Sequence, residues 1–186
     1  MFIRSERLFL RPAFFEDWRE IHAGLCDEAV VRMLATVPWP YGESDARAFA
    51  ARGPGHPLLP QCLITLPGMR GAPVIGGIGL ERRADGVELG YWLARRHWGQ
   101  GFATEAGQAL LASAQAVGHR RIHAAHALEN AASARVLHKL GFRATGEIRV
   151  RNSAGRGGAA VATRRHVLDL GEGAGADPEP RMPAAA

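Results

Sequence analysis

Between residues 95 and 111 the chain reads RRHWGQGFATEAGQALL. Gly99 and Gly101 stand where an Ala/Leu-rich helical run begins. Glycine has no Cβ, so a ligand can come close to the backbone there. The first four amides of a helix lack internal partners, and the positive end of the helix dipole lies beside them. Together these features favour an anion, often a phosphate, and Thr104 adds a hydroxyl. A dinucleotide-binding Gly-x-Gly-x-x-Gly would need its third glycine at position 104 and an acidic residue about twenty positions on; position 104 is threonine and Glu129 comes late. A phosphate loop ending Gly-Lys-Ser/Thr fails because the only lysine is Lys139. Taken alone, the two glycines read first as a tight strand-to-helix turn.

Other chemistries find less support. His119, His123 and His126 invite a metal, but positions 123 and 126 of a strand point to opposite faces, and no cysteine or carboxylate cluster joins them, so no metal is expected. No Gly-x-Ser-x-Gly elbow is present, which argues against a serine hydrolase. Cys26 and Cys62 have no spaced partners, giving neither a disulfide framework nor a zinc motif. A reducing cytoplasm fits best. The net charge of +5 comes from arginines spread along the chain in runs no longer than two; a nucleic-acid footprint would be a patch or stripe, so nucleic acid is not expected as a partner.

The elements around the glycine turn follow from pattern. Residues 2–10 read as a strand ended by Pro12, followed by an amphipathic helix through Phe15, Trp18, Ile21, His22 and Leu25. Asp27 is placed to cap a second short helix, and Ser44 a third. After the breaks of GPGHPLLP come QCLITL, then VIGGIGLERR and VELGYWLA, two strands joined across ADG as a hairpin. The glycine turn opens a helix ending at Gly118, with Ala103, Ala106, Leu110, Ala114 and Val117 on one face. RIHAAHAL is the next strand; NAASARVLHKL is a helix closed by Gly141, with Phe142 folding back. Residues 143–151 and 163–170 form a last strand pair around SAGRGGAA. Hairpins beside a strand–helix–strand unit make an α+β domain with a mixed sheet. Residues 1–170 are expected to form a single domain and 171–186 a disordered tail. No run of eighteen apolar residues suggests a membrane span.

Two stretches, ELGYWLARRHWGQGFATEA and NAASARVLHKLGF, occur in that order about thirty residues apart, behind an N-terminal RSERLFLRPAFFEDW. With Arg96 opening a Gln/Arg-x-x-Gly-x-Gly/Ala pattern, the chain resembles the GNAT superfamily of acyl-CoA N-acyltransferases over residues 2 to about 170, and within it the RimJ/RimL branch. The resemblance implies a mostly antiparallel central sheet of about six or seven strands, helices on both faces, and a splayed strand pair holding coenzyme A. The diphosphate would lie on the backbone of Trp98, Gly99, Gln100, Gly101, Phe102 and Ala103, with Thr104 beside it. The pantetheine arm would lie along Tyr91, Trp92 and Leu93, where the strand parts from its parallel neighbour at a bulge. Asn130 matches a residue that bonds the arm, and its alternative role is a helix N-cap.

The resemblance further implies acetyl-CoA as co-substrate and an amine acceptor, a protein N-terminus or a small amine, attacking directly in a ternary complex. Glu88 resembles the acidic position of relatives, and alternation puts it on a face with Gly90 and Trp92. Its implied role is the base, acting through a water; the alternative is a solvated strand carboxylate. Leu137 stands where many members carry the tyrosine acid, so Ser133 is the implied donor to the thiolate, or else a serine bonded to its own helix backbone. That departure leaves a coenzyme-binding regulatory module without transferase activity as the alternative reading. A monomer and a homodimer are both compatible with the sequence.

Overall fold

The computed structural model describes residues 1–53 and 55–171; the expected tail lies, apart from Gly171, outside them. The elements run β1 (Ile3–Arg4), β2 (Phe9–Arg11), α1 (Trp18–Leu25), α2 (Glu28–Val31), α3 (Glu43–Ala50), β3 (Gly55–His56), β4 (Leu59–Thr65), β5 (Val74–Arg83), β6 (Gly86–Leu93), α4 (Phe102–Ala116), β7 (Arg121–Ala127), α5 (Ala131–Lys139), β8 (Arg143–Ser153) and β9 (Ala159–Asp169). The sheet order is β1-β2-β4-β5-β6-β7-β9-β8, with β3 on β4, and every pairing is antiparallel except β6 with β7. This is the α+β mixed sheet expected, built among the described residues from nine strands rather than six or seven.

One of the extra strands comes from the N-terminus. Residues 2–10 fold as a hairpin, not one strand, because Ser5 N donates to Leu8 O (3.0 Å) and the Ser5 hydroxyl accepts from Leu8 N (3.2 Å). Short β3, in a region expected to be loop, pairs Gly55 with Pro60 and His56 with Leu59. The third helix starts two residues earlier than a Ser44 cap would allow. Gly42 is its N-cap, and its amide donates to the Asp45 carboxylate at 2.9 Å. Asp27 does cap α2, accepting from Ala29 N at 2.9 Å.

The sheet is covered on both faces. On one, Leu89, Ile122 and Ala124 pack with Ala106, Leu110 and Ala114 of α4 and Leu137 of α5. On the other, Leu63 and Val74 pack with Ile21 and Leu25 of α1 and Ala46 and Ala50 of α3. Burying each large aliphatic side chain stabilises by about 1.5–3 kcal/mol, so each layer fixes its helices on the sheet. Period-two alternation along β6 sends Leu89, Tyr91 and Leu93 towards α4 and α5, and Trp92 towards α1. One strand thus serves two sides.

Candidate active site

The glycine turn adopts the shape its sequence requires. Gly99 has φ +74° and Gly101 φ +82°, left-handed values that other residues adopt only with strain. Gly101 is the N-cap of α4. A methyl group built at Gly99 would meet nothing within 4 Å, so the notch is open. Among the described residues, the amides of Gly99, Gln100 and Gly101 donate to no backbone or side-chain acceptor, and those of Phe102, Ala103 and Thr104 open the helix, where no earlier turn supplies a carbonyl. Trp98 differs. Its amide is taken by Arg95 O (3.1 Å), and its indole Nε1 donates to Leu93 O (2.8 Å). The turn is braced from within by Gln100 Nε2 donating to Arg96 O at 3.0 Å, and Arg96 Nε donates to the His97 ring at 3.1 Å. The donor set is one for an anion with several oxygens, and a diphosphate fits it.

Beside the turn the sheet opens. The parallel ladder of β6 and β7 pairs Glu88 with His123 and Leu89 with Ala124 and then stops, although β6 runs on to Leu93. The β5–β6 register is continuous from Arg83–Gly86 to Gly76–Leu93, so the parting comes without the bulge expected there. Past Leu89, the main-chain groups of β6 that turn away from β5 face a gap, except Leu93 O, which accepts from Trp98 Nε1. An amide-bearing chain can pair with them as an added strand.

Asn130 and Ser133 border the gap from α5. Asn130 is the N-cap, its Oδ1 accepting from Ser133 N at 3.0 Å; its amide nitrogen is left for other partners. The Ser133 hydroxyl lies 2.8 Å from the Tyr91 hydroxyl. Burial, offset in small part by Ser133, pushes the Tyr91 pKa up to about 12, so the phenol keeps its proton and can donate. Sequence reasoning placed Tyr91 only by its backbone. The signal for its hydroxyl was available in the β6 alternation, which puts Tyr91 on the α5 face. Leu137 is 1% exposed and belongs to the core.

Glu88 lies on the opposite face. Both its oxygens accept from Arg151, each at 2.9 Å. Burial is the largest single influence on its pKa and pushes it up. The hydrogen bonds and charge of Arg151, with the charges of Arg83 and Arg165, outweigh it and hold Glu88 below the usual carboxylate range. The partner comes from β8, whose hairpin with β9 reaches across to β6; no sequence pattern marked this pair. Beyond it, Ser153 Oγ donates to Leu34 O (3.0 Å) and Ala154 N to Ala35 O (2.9 Å), tying the hairpin to the segment after α2. A cavity of about 460 Å³ lies there, lined by Glu28, Arg32, Trp39 and Arg156. A second, of about 380 Å³, lies between α1 and the residues before the glycine turn, at Gly24, Asp27, Ala94, Arg95 and Arg96.

Among the described residues, no group of three or more His, Cys, Asp or Glu is arranged to hold a metal, and no helix is long and apolar enough to cross a membrane.

Comparison with known proteins agrees with this fold. An acetyltransferase of the GNAT family from Bacillus anthracis superposes with a TM-score of 0.77 at 26% identity, covering 92% of this chain and 100% of that one. The microcin self-immunity acetyltransferase MccE, solved with acetyl-CoA and AMP, gives 0.71 at 16% identity, covering 89% and 93%. RimL, a ribosomal alpha-N-protein acetyltransferase solved with coenzyme A, gives 0.70 at 20% identity, covering 91% and 98%. The last two likenesses speak for the fold alone. No curated protein sequence matches significantly. Residues 7–143 match the acetyltransferase (GNAT) domain, and a match over that much of the chain makes it a member of the GNAT acetyltransferase family.

Proposed function

We propose that the protein moves an acetyl group from acetyl-CoA to a primary amine, a protein N-terminus or a small amine, within a ternary complex and with no covalent enzyme intermediate. The observation that carries the reading is the two-sided layout of β6: Glu88 on one face, Tyr91 with Ser133 on the other, and an unpaired strand edge between them. Neither cysteine belongs to this layout: Cys62 is buried on β4 and Cys26 is exposed at the end of α1, which favours direct attack. The RimJ/RimL-like sequence motifs make protein N-termini the first acceptors to test.

In this reading the amides of Gly99 to Thr104 hold the diphosphate, and the free edge of Tyr91–Leu93 with Asn130 aligns the pantetheine arm. Coenzyme A supplies the activated acyl thioester when bound. The acceptor enters from the α1–α2 side. An ammonium has no lone pair, so Glu88 takes its proton through a water. Arg151 keeps Glu88 ionised while the site is empty, and the arriving cation competes with Arg151 for the carboxylate. On the other face the Ser133 hydroxyl, backed by Tyr91, donates to the departing thiolate. That thiolate is a good leaving group, since free thiols ionise near pH ~8.5, so a hydrogen bond suffices where Leu137 replaces the usual tyrosine.

Acetyl-CoA turnover with thiol detection, run over a panel of peptide N-termini and small amines, tests the reading. Saturable, acceptor-dependent thiol release supports it. Tight coenzyme A binding with no release from any amine favours the regulatory-module alternative.

A further inference from the structure

The backbone cradle has amides, and the two arginines on the turn itself point elsewhere. Arg96 turns to His97, and Arg95 reaches 4.0 Å from Asp27 beside α1. The cation that stands over the turn is Arg7, from the N-terminal hairpin. We infer that Arg7 is a ligand of the coenzyme A diphosphate, an inference that rests on the coenzyme A reading above.

Arg7 is held on several sides. Its main-chain N donates to Glu105 Oε1 (2.7 Å) and its Nε to Glu105 Oε2 (2.7 Å), while Ser5 Oγ donates to Oε1 (2.7 Å). Nη1 donates to Gln100 O at 3.1 Å, and the guanidinium lies over the Phe102 ring, 4.6 Å from its centre. Among the described residues Nη2 has no acceptor, and a methyl group built at Gly101 would sit 3.5 Å from it. The free end of the fork is therefore aimed over the bare backbone of the turn whose amides are also free.

Two physical consequences follow. A planar guanidinium suits phosphate oxygens, and one already ordered by three other contacts loses little freedom on binding. The charge balance also matters. Glu105 lies in the first turn of α4, on the side an anion must approach. Burial pushes its pKa up, and the Arg7 amide, the Ser5 hydroxyl and the Arg7 guanidinium bring it down below its ordinary value, so it is ionised. Arg7 cancels that charge where the diphosphate arrives. A purely structural strut, tying the hairpin to α4, would need the contacts to Glu105 but not an open Nη2.

Arg7→Ala and Arg7→Lys in the full chain, titrated with coenzyme A, dephospho-coenzyme A and pantetheine, separate these roles. Calorimetry reads the two nucleotides and NMR the weak pantetheine. The expected result is about a tenfold weaker coenzyme A affinity for Arg7→Ala and a smaller loss for Arg7→Lys. The same factors should hold for dephospho-coenzyme A, with pantetheine affinity unchanged. An equal loss for pantetheine means a strut and overturns the inference, as does no loss at all. A loss confined to coenzyme A places Arg7 on the 3′-phosphate and overturns the diphosphate assignment. Failure of the unaltered protein to bind coenzyme A would sink the underlying reading as well; normal binding with indifferent Arg7 variants would sink this inference alone.

Discussion

The Tyr91 hydroxyl on β6 lies 2.8 Å from the Ser133 hydroxyl on α5, across the gap where the β6–β7 ladder has ended. Two hydroxyls that share one hydrogen bond leave a second proton free. If that proton stabilises the departing thiolate, Ser133→Ala and Tyr91→Phe each lower kcat by about 10- to 100-fold with little change in coenzyme A affinity. Steady-state kinetics of both and of the double variant check this. The double variant should be scarcely worse than the poorer single one, because the two groups act as a unit.

Glu88 is held ionised by Arg151. Glu88→Gln should reduce turnover at neutral pH while coenzyme A affinity is retained. Arg151→Met removes the main influence holding the Glu88 pKa down and leaves burial, which raises it, opposed by the charges of Arg83 and Arg165 alone. The acid limb of the kcat/KM profile therefore moves to higher pH. A limb that stays in place in Arg151→Met assigns it to another group.

Acid should destabilise the fold through carboxylates whose pKa values are lowered. For Asp17, burial pushes up, but hydrogen bonds from Arg11 and Phe14 N prevail; Glu88 and Glu105 are also lowered. A depressed folded pKa gives stability that is present above the unfolded value and lost as pH falls through the folded one. The Tm should be flat above about pH 5 and fall below about pH 4. Asp17→Asn should show a shallower fall, read by thermal unfolding across pH.

Packing of α5 on α4 depends on Gly107. A methyl group there would lie 2.6 Å from Leu140 Cδ1 and 2.9 Å from Cδ2. Gly107→Ala should destabilise by about 1–3 kcal/mol in chemical denaturation, and the same substitution made in a Leu140→Ala background should cost less, because the methyls it would strike are gone.

Local chemistry made much of this legible from sequence. The Asp27 cap, the Gly141 stop, the ADG hairpin and the positive-φ glycine turn rest on neighbouring residues, and their patterns are short. What could not be read depends on contacts across long stretches of chain. Arg151 reaches Glu88 from 63 residues away and Arg7 meets Glu105 over 98; no spacing rule encodes either. The break in residues 2–10 turned on a serine whose hydroxyl bonds both Leu8 N and Glu105, and strand alternation alone gives no weight to that. Alternation along β6 puts Tyr91 on the helix-covered face, but which residue meets its hydroxyl depends on where α5 packs.

The most direct test is a coenzyme A titration followed by amide NMR of the full chain. Saturable one-to-one binding is the expected result. The largest amide shifts should fall on Gly99, Gln100, Gly101, Phe102, Ala103 and Thr104, with a second set along Tyr91–Leu93. Saturable binding whose shifts avoid the glycine turn, or no binding at all, would contradict it.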